Sequence, residues 1–178
     1  HTGTEPDVIT IGKGFGNGFP VSGLIARDEL TRAEPFSKPS ASSSSYGGNP
    51  LAASAALATV ETIVEDDLVA NAAKVGELLL RELRALQEKY PFVGDVRGVG
   101  LLIGLDLVRD RRTKEPLPTE VTEWIFAAAL RRGLLAMAYF SRVRINPPLV
   151  LTEREALDGV AILDEVFAEL ERSGRYRA

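Results

Sequence analysis

Short aliphatic runs of strand type alternate with amphipathic helical stretches from Val8 to Leu170, and this alternation restricts the chain to a mixed α/β or α+β architecture with two lobes. Val8–Ile11 and residues 21–26 read as two short strands bracketing a glycine-rich loop. Residues 27–39 are a surface connection with room for one helical turn. Asn49-Pro50 marks a helix start, because an Asn side chain accepts a first-turn N–H and proline suits the first helical position. The Ala-rich helix behind it is predicted to reach residue 64, and a second helix to span 67–89 with Leu68, Ala72, Val75, Leu79, Leu83 and Leu86 as its apolar stripe. Glycines and aliphatic residues alternate over 93–108, the pattern of two strands or one bent strand. Residues 110–118 read as a charged loop, Thr119 as the cap of a helix ending at Arg132-Gly133, and 134–138 and 143–146 as short strands. Thr152 to Glu155 has the form of a capping box. It opens a last helix with Leu157, Val160, Leu163, Phe167 and Leu170 on one face.

Composition narrows the classes of function. With 45% hydrophobic residues, 178 residues suffice for one ordinary domain or two small lobes. A net charge of −4 argues against nucleic acid as the main partner, since a phosphate-binding face needs clustered Lys and Arg. The basic tail at 172–177 is short and reads as solvated. No apolar run approaches the ~18 residues a membrane span needs, and no signal-peptide pattern is present. The absence of cysteine excludes a disulfide framework and a thiolate metal site, and a single histidine argues against a zinc centre. The expectation is a soluble cytoplasmic protein. His1 at the first position and Met137 as the sole methionine give the further expectation that the chain starts inside a longer protein.

Two segments carry chemistry. Lys13 stands between Gly12 and Gly14 at the end of a short apolar strand. Glycines on both sides admit a planar ligand, and a lysine amine that is desolvated can lose its proton and attack a carbonyl. A Walker loop is excluded because Gly14 follows the lysine where Ser or Thr belongs, and a dinucleotide fingerprint because no helix-forming stretch follows the glycines. The alternative is a solvated turn lysine. In the second segment, Ser45-Tyr46-Gly47-Gly48-Asn49-Pro50 places a hydroxyl and backbone N–H groups at a helix N-terminus, a recipe for holding phosphate. The alternative there is a plain turn into a helix. An imine-forming lysine together with an anion-binding helix start is what a phosphorylated aldehyde cofactor requires.

Four blocks in order resemble the class III pyridoxal-phosphate aminotransferases of fold type I. They are Pro6-Asp7-Val8-Ile9-Thr10 with Gly12-Lys13-Gly14 and Gly18-Phe19-Pro20; Ser44 to Ala52; Gly94 to Leu101; and Arg144-Ile145-Asn146-Pro147-Pro148-Leu149. The resemblance covers essentially the whole chain and implies its C-terminal-portion status: family chains are more than twice this long. It implies that residues 1–62 are the remnant of the large cofactor-binding domain, 63–89 a connecting helix and 90–178 a small C-terminal α/β domain.

By the same resemblance Lys13 forms the internal aldimine with pyridoxal 5′-phosphate and then moves the proton between substrate Cα and cofactor C4′. Ser45, where the family usually has threonine, would bind the cofactor phosphate of the neighbouring subunit, with Tyr46 and Gly47 beside it, which implies a homodimer with shared sites. Arg144 matches an arginine that forks the substrate α-carboxylate, although an arginine between Val143 and Ile145 also suits a structural ion pair. Arg97 reads as structural. The implied reaction is ping-pong transfer of an amino group from an amino acid or amine to a 2-oxo acid. Two alternatives stand beside it: a decarboxylating relative acting on dialkyl amino acids, and a catalytically silent fold fragment. The family's main phosphate loop, its ring-stacking aromatic and its pyridine carboxylate have no counterpart in residues 1–178, so the isolated chain is expected to be inactive.

Overall fold

A computed structural model of the chain describes residues 3–41 and 43–177. They form two compact units, dividing between Asp67 and Leu68.

In the first unit, β1 (Val8–Ile11) pairs antiparallel with β2 (Gly23–Ala26), Val8 opposite Ala26 and Ile11 opposite Gly23. The predicted strand at 21–26 is therefore shorter by two residues. The loop between the strands holds a 3₁₀ turn, Lys13–Gly16, and a single helical turn, α1 (Asp28–Thr31), follows β2. Helix α2 (Pro50–Glu65) starts as expected: the Asn49 side chain accepts the Ala52 N–H at 2.9 Å and Pro50 opens the first turn. It packs on the 3₁₀ turn, and its buried residues are the small Ala52 and Ala56. Small side chains on that face let the helix approach the lysine turn closely. Of the serine-rich stretch at 40–45, Ser42 lies outside the described residues.

The second unit is a five-stranded antiparallel sheet with helices on one face. It contains α3 (Leu68–Lys89), β3 (Val93–Val99), β4 (Leu102–Asp110), β5 (Glu115–Pro116), α4 (Thr119–Arg131), β6 (Met137–Tyr139), β7 (Arg142–Ile145) and α5 (Glu153–Ser173). The strand order is β3-β4-β7-β6, with β5 paired to the far end of β4. Alternation decides the faces. Val96, Ile103, Leu105, Leu107 and Val143 turn inward and are buried with Val75, Leu79 and Leu83 of α3, Ile125 of α4 and Leu163, Phe167 and Leu170 of α5. Tyr90, Phe92, Phe167 and Tyr176 close this core as an aromatic cluster with ring centroids 4.9–5.6 Å apart. The Tyr90 hydroxyl donates to the Asp164 carboxylate at 2.6 Å, and burial pushes this phenol above its ordinary pKa.

Four readings of this unit need correction. Pro118, with extended backbone, occupies the cap position before α4, and Thr119 is already helical; proline's fixed φ sets the boundary one residue early. Strand β6 begins only at Met137, because the N–H groups of Gly133 and Leu134 are still bonded to the α4 carbonyls of Leu130 and Ala129. Leu157 is 44% exposed, and Ala156 takes the inward place on α5. The basic tail is not free in solvent: Tyr176 is buried against Phe92, and the Arg175 guanidinium lies over the Trp124 ring at 5.5 Å.

The loop 110–118 also does more than carry charge. Arg111 reaches back to accept nothing and donate widely: its guanidinium bonds the carbonyls of Val93 (3.1 Å), Tyr90 (2.7 Å) and Gln87. The Gln87 carbonyl lies in the last turn of α3 and the other two in the segment that leads into β3, so Arg111 ties the end of that helix to the strand from a distant loop.

Candidate active site

The lysine turn is built by its neighbours. Lys13 has φ +53°, a left-handed conformation that costs a non-glycine residue on the order of 1–3 kcal/mol unless its surroundings impose it. Asn17, at the other end of the turn, is left-handed too (φ +46°). Between them Gly16 is buried, and a Cβ on it would overlap Cγ1 of Val21. The turn is thus folded onto Val21 on one side and α2 on another, and its bonds Phe15 N–H to Gly12 O and Asn17 N–H to Gly14 O close it. Lys13 itself is exposed and has no ion-pair partner among the described residues. A constrained backbone carrying a free amine is what a covalent anchor needs.

The Ser45 block sits at the start of α2, the helix that packs on this turn. Within it Gly47 N–H donates to Ser44 O and Asn49 N–H to Tyr46 O, so the turn itself consumes some of the donors expected to be free. The Gly48 and Leu51 N–H groups and the Ser45 hydroxyl have no partner among the described residues. Gly48 is left-handed (φ +71°), and Tyr46 is 84% exposed, so the block presents itself outward. Gly47 could take a Cβ only by pressing on Ser44 Cβ at 3.2 Å. A hydroxyl, unbonded N–H groups and a capped helix end fit a phosphate group.

Arg144 belongs to the second unit, on β7. On the sheet face away from the helices, register places Arg97, Gly104, Arg144 and Met137 side by side across β3, β4, β7 and β6, and Asp95, Asp106 and Arg142 in the adjacent row. Arg97 donates to Asp95 at 2.5 Å and to Asp106 at 2.6 and 3.2 Å; Arg142 donates to Asp106 at 2.9 Å. The Arg97 hydrogen bond, with Arg142 adding its charge, holds the Asp106 carboxyl below its ordinary pKa, and Arg97 is raised in turn. Arg97 is therefore an ion-paired structural residue. Arg144 lacks any such partner among the described residues: both carboxylates of this face serve its neighbours. It borders a cavity of about 300 Å³ whose other walls include Leu134, Met137, Ile145, Leu151 and Leu163.

The structure thus joins Lys13 and the Ser45–Gly47 segment in one unit and carries Arg144 in the other. The Asp106–Arg97–Arg142 network escaped sequence reading, since strand register is needed to bring three residues of three strands together. Gly104, in the middle of an aliphatic strand, did leave a visible signal.

A mixed α/β chain with a lysine turn against a helix N-terminus and a small α/β unit is the arrangement of a pyridoxal-phosphate enzyme of fold type I, and comparison with known proteins gives the family. The aminotransferase class-III profile matches residues 1–167, and the chain belongs to that family. The leucine/methionine racemase of Thermococcus litoralis is 39% identical over 96% of this chain and 38% of its own length. An ethanolamine-phosphate phospho-lyase homolog of Caenorhabditis elegans is 37% identical over 96% of this chain and 37% of its own. Among solved structures, an amine transaminase from an uncultivated Pseudomonas species, in its pyridoxal-phosphate-bound internal aldimine form, superposes with a TM-score of 0.84 at 37% identity, covering 92% of this chain and 38% of that one. The chain spans under two fifths of the length of these relatives. Pyridoxal 5′-phosphate is the cofactor of this family.

Proposed function

We propose that this chain is the C-terminal part of a cytoplasmic, homodimeric aminotransferase that moves an amino group from an amino acid or amine to a 2-oxo acid. In this reading residues 1–62 complete the large cofactor-binding domain, 63–89 connect, and 90–178 form the small domain. The observation that carries the reading is the left-handed, glycine-flanked Lys13 packed against the helix that begins at the Ser45 block.

Pyridoxal phosphate, when bound, supplies an electron sink for negative charge at the substrate Cα. Lys13 Nζ would be the covalent anchor of that group and the base that holds the Cα proton. A left-handed backbone with glycine on either side keeps that amine at one place while a flat ligand approaches. Ser45 Oγ and the Gly48 N–H, free among the described residues and beside Tyr46 and Gly47, would hold phosphate oxygens belonging to the neighbouring subunit's site. The Arg144 guanidinium forks the substrate α-carboxylate, a role favoured by its having no acidic partner among the described residues beside two arginines that have one. Alone, the chain offers an anchor, part of a phosphate site and a carboxylate clamp, and is inactive.

The test is product analysis of the complete enzyme with an amino-acid donor and a 2-oxo acid. Amino transfer without CO₂ release, abolished by Lys13→Ala in a folded protein, is the expected result. CO₂ release from a dialkylglycine would assign the decarboxylating reaction instead. Racemisation or elimination without net transfer would also contradict the proposal.

A further inference from the structure

We propose that Gly104 determines specificity for carboxylate-bearing donors by leaving the flank of Arg144 open. The inference rests on the reading of Arg144 as a carboxylate clamp.

Glycine is out of place at this position by every local measure. β4 is bonded on both sides, to β3 and β7, and a strand interior disfavours glycine because it packs nothing and is freer when unfolded. Backbone conformation does not require it: Gly104 is absent from the positive-φ glycines, which include Gly100 in the preceding turn. Packing in this unit does not require it either. A Cβ at Gly104 would meet nothing within 4 Å, whereas one at Gly98 on the neighbouring strand would overlap the backbone of Leu102.

What glycine provides here is open volume, and register says where. Gly104 stands directly opposite Arg144 on β7 and opposite Arg97 on β3. Side chains directly opposite in an antiparallel pair have Cβ atoms about 4.5–5.5 Å apart, so a branched side chain at 104 would lie along the stem of Arg144. On its other side Arg144 faces Met137, which is flexible and uncharged. Arg97 needs no access, because Asp95 and Asp106 already neutralise it. Arg144 does: bidentate recognition requires two N–H groups reached in one plane. The open position therefore lies beside the one cation of this row that has no acidic partner among the described residues.

The experiment compares Gly104→Ala, Gly104→Val and Arg144→Lys with the parent in the complete, cofactor-loaded enzyme. Three quantities are measured: the thermal midpoint, the affinity for 4-methylpentanoate by calorimetry, and kcat/KM for an amino acid against a plain amine. Gly104→Val should keep or raise the midpoint, since valine suits a strand. It should weaken 4-methylpentanoate binding and amino-acid turnover by about tenfold or more while sparing the amine, with Gly104→Ala between. Unchanged carboxylate affinity in Gly104→Val would overturn the inference. So would a lowered midpoint with equal losses on both donors, which would make Gly104 a packing contact of the complete enzyme. If Arg144→Lys binds the carboxylate normally, the clamp itself is wrong and the inference falls with it. If only Arg144→Lys loses affinity, the clamp stands and Gly104 has no part in it.

Discussion

At the scale of single residues, the left-handed Lys13 asks for a cause, and Gly16 supplies one. Its buried Cα lies against Val21, so Gly16→Ala should push the turn off Val21 and move the lysine. Borohydride labelling of Lys13 in the complete enzyme should fall severalfold, and Val21→Ala in the same chain should restore it by making room. Unchanged labelling in Gly16→Ala would show that the turn tolerates the methyl. The lysine and its glycines were legible in the sequence as a motif, but the contact that holds them was not, because Gly16 and Val21 meet only once the chain turns. Asp106 is a second case. Its folded pKa is lowered chiefly by the Arg97 hydrogen bond, so its stabilising effect is full above the unfolded value of about 4 and is lost as pH falls through the folded value. Asp106→Asn should cost about 1 kcal/mol at pH 7, and the cost should shrink steadily as the pH is lowered below about 4, read from denaturant midpoints. An equal cost across that range would mean that packing, rather than charge, accounts for the residue. Arg144 was visible in the sequence as either clamp or ion pair, and only the register of β3, β4 and β7 shows that Asp95 and Asp106 serve Arg97 and Arg142 instead.

At the scale of elements, the helices were legible because their apolar spacing is long and regular, and because Asn49 and the Thr152–Glu155 box announce their starts. The observed box has both halves, Glu155 N–H to Thr152 Oγ1 at 3.2 Å and Thr152 N–H to Glu155 Oε2 at 2.9 Å. Short strands were less legible. Leu134 has strand composition, yet its N–H is spent on the end of α4; Tyr176 sits in a basic tail, yet its ring completes a core assembled from distant segments. Helix α3 meets the β3–β4 turn at a pair of glycines: a Cβ on Gly76 would overlap the Gly100 carbonyl, and Gly100 is itself left-handed (φ +54°). Backbone atoms cannot give way as a side-chain tip can. Gly76→Ala is therefore expected to destabilise the second unit by about 2 kcal/mol despite alanine's better helix propensity, as thermal unfolding would show. A stabilised variant would mean that the turn simply shifts aside.

At the scale of the whole molecule, the chain belongs to the aminotransferase class-III family, and the proposed function puts a lysine anchor and a phosphate-binding helix start in the first unit and a carboxylate clamp in the second. The division between Asp67 and Leu68 falls where the sequence changes from glycine-rich loop and Ala-rich helix to a long amphipathic helix. Because the Ser45 block is assigned to the neighbouring subunit's phosphate, the complete enzyme should sediment as a dimer at all concentrations at which it is active, and an active monomer would contradict that assignment. The central claim is that Lys13 carries the cofactor, and covalent trapping tests it most directly. Reduction of the loaded complete enzyme with borohydride, followed by proteolysis and mass spectrometry, should place a single pyridoxyl group on the peptide containing Gly12-Lys13-Gly14. A pyridoxyl group on Lys38, Lys74, Lys89, Lys114 or any lysine other than Lys13 would contradict it.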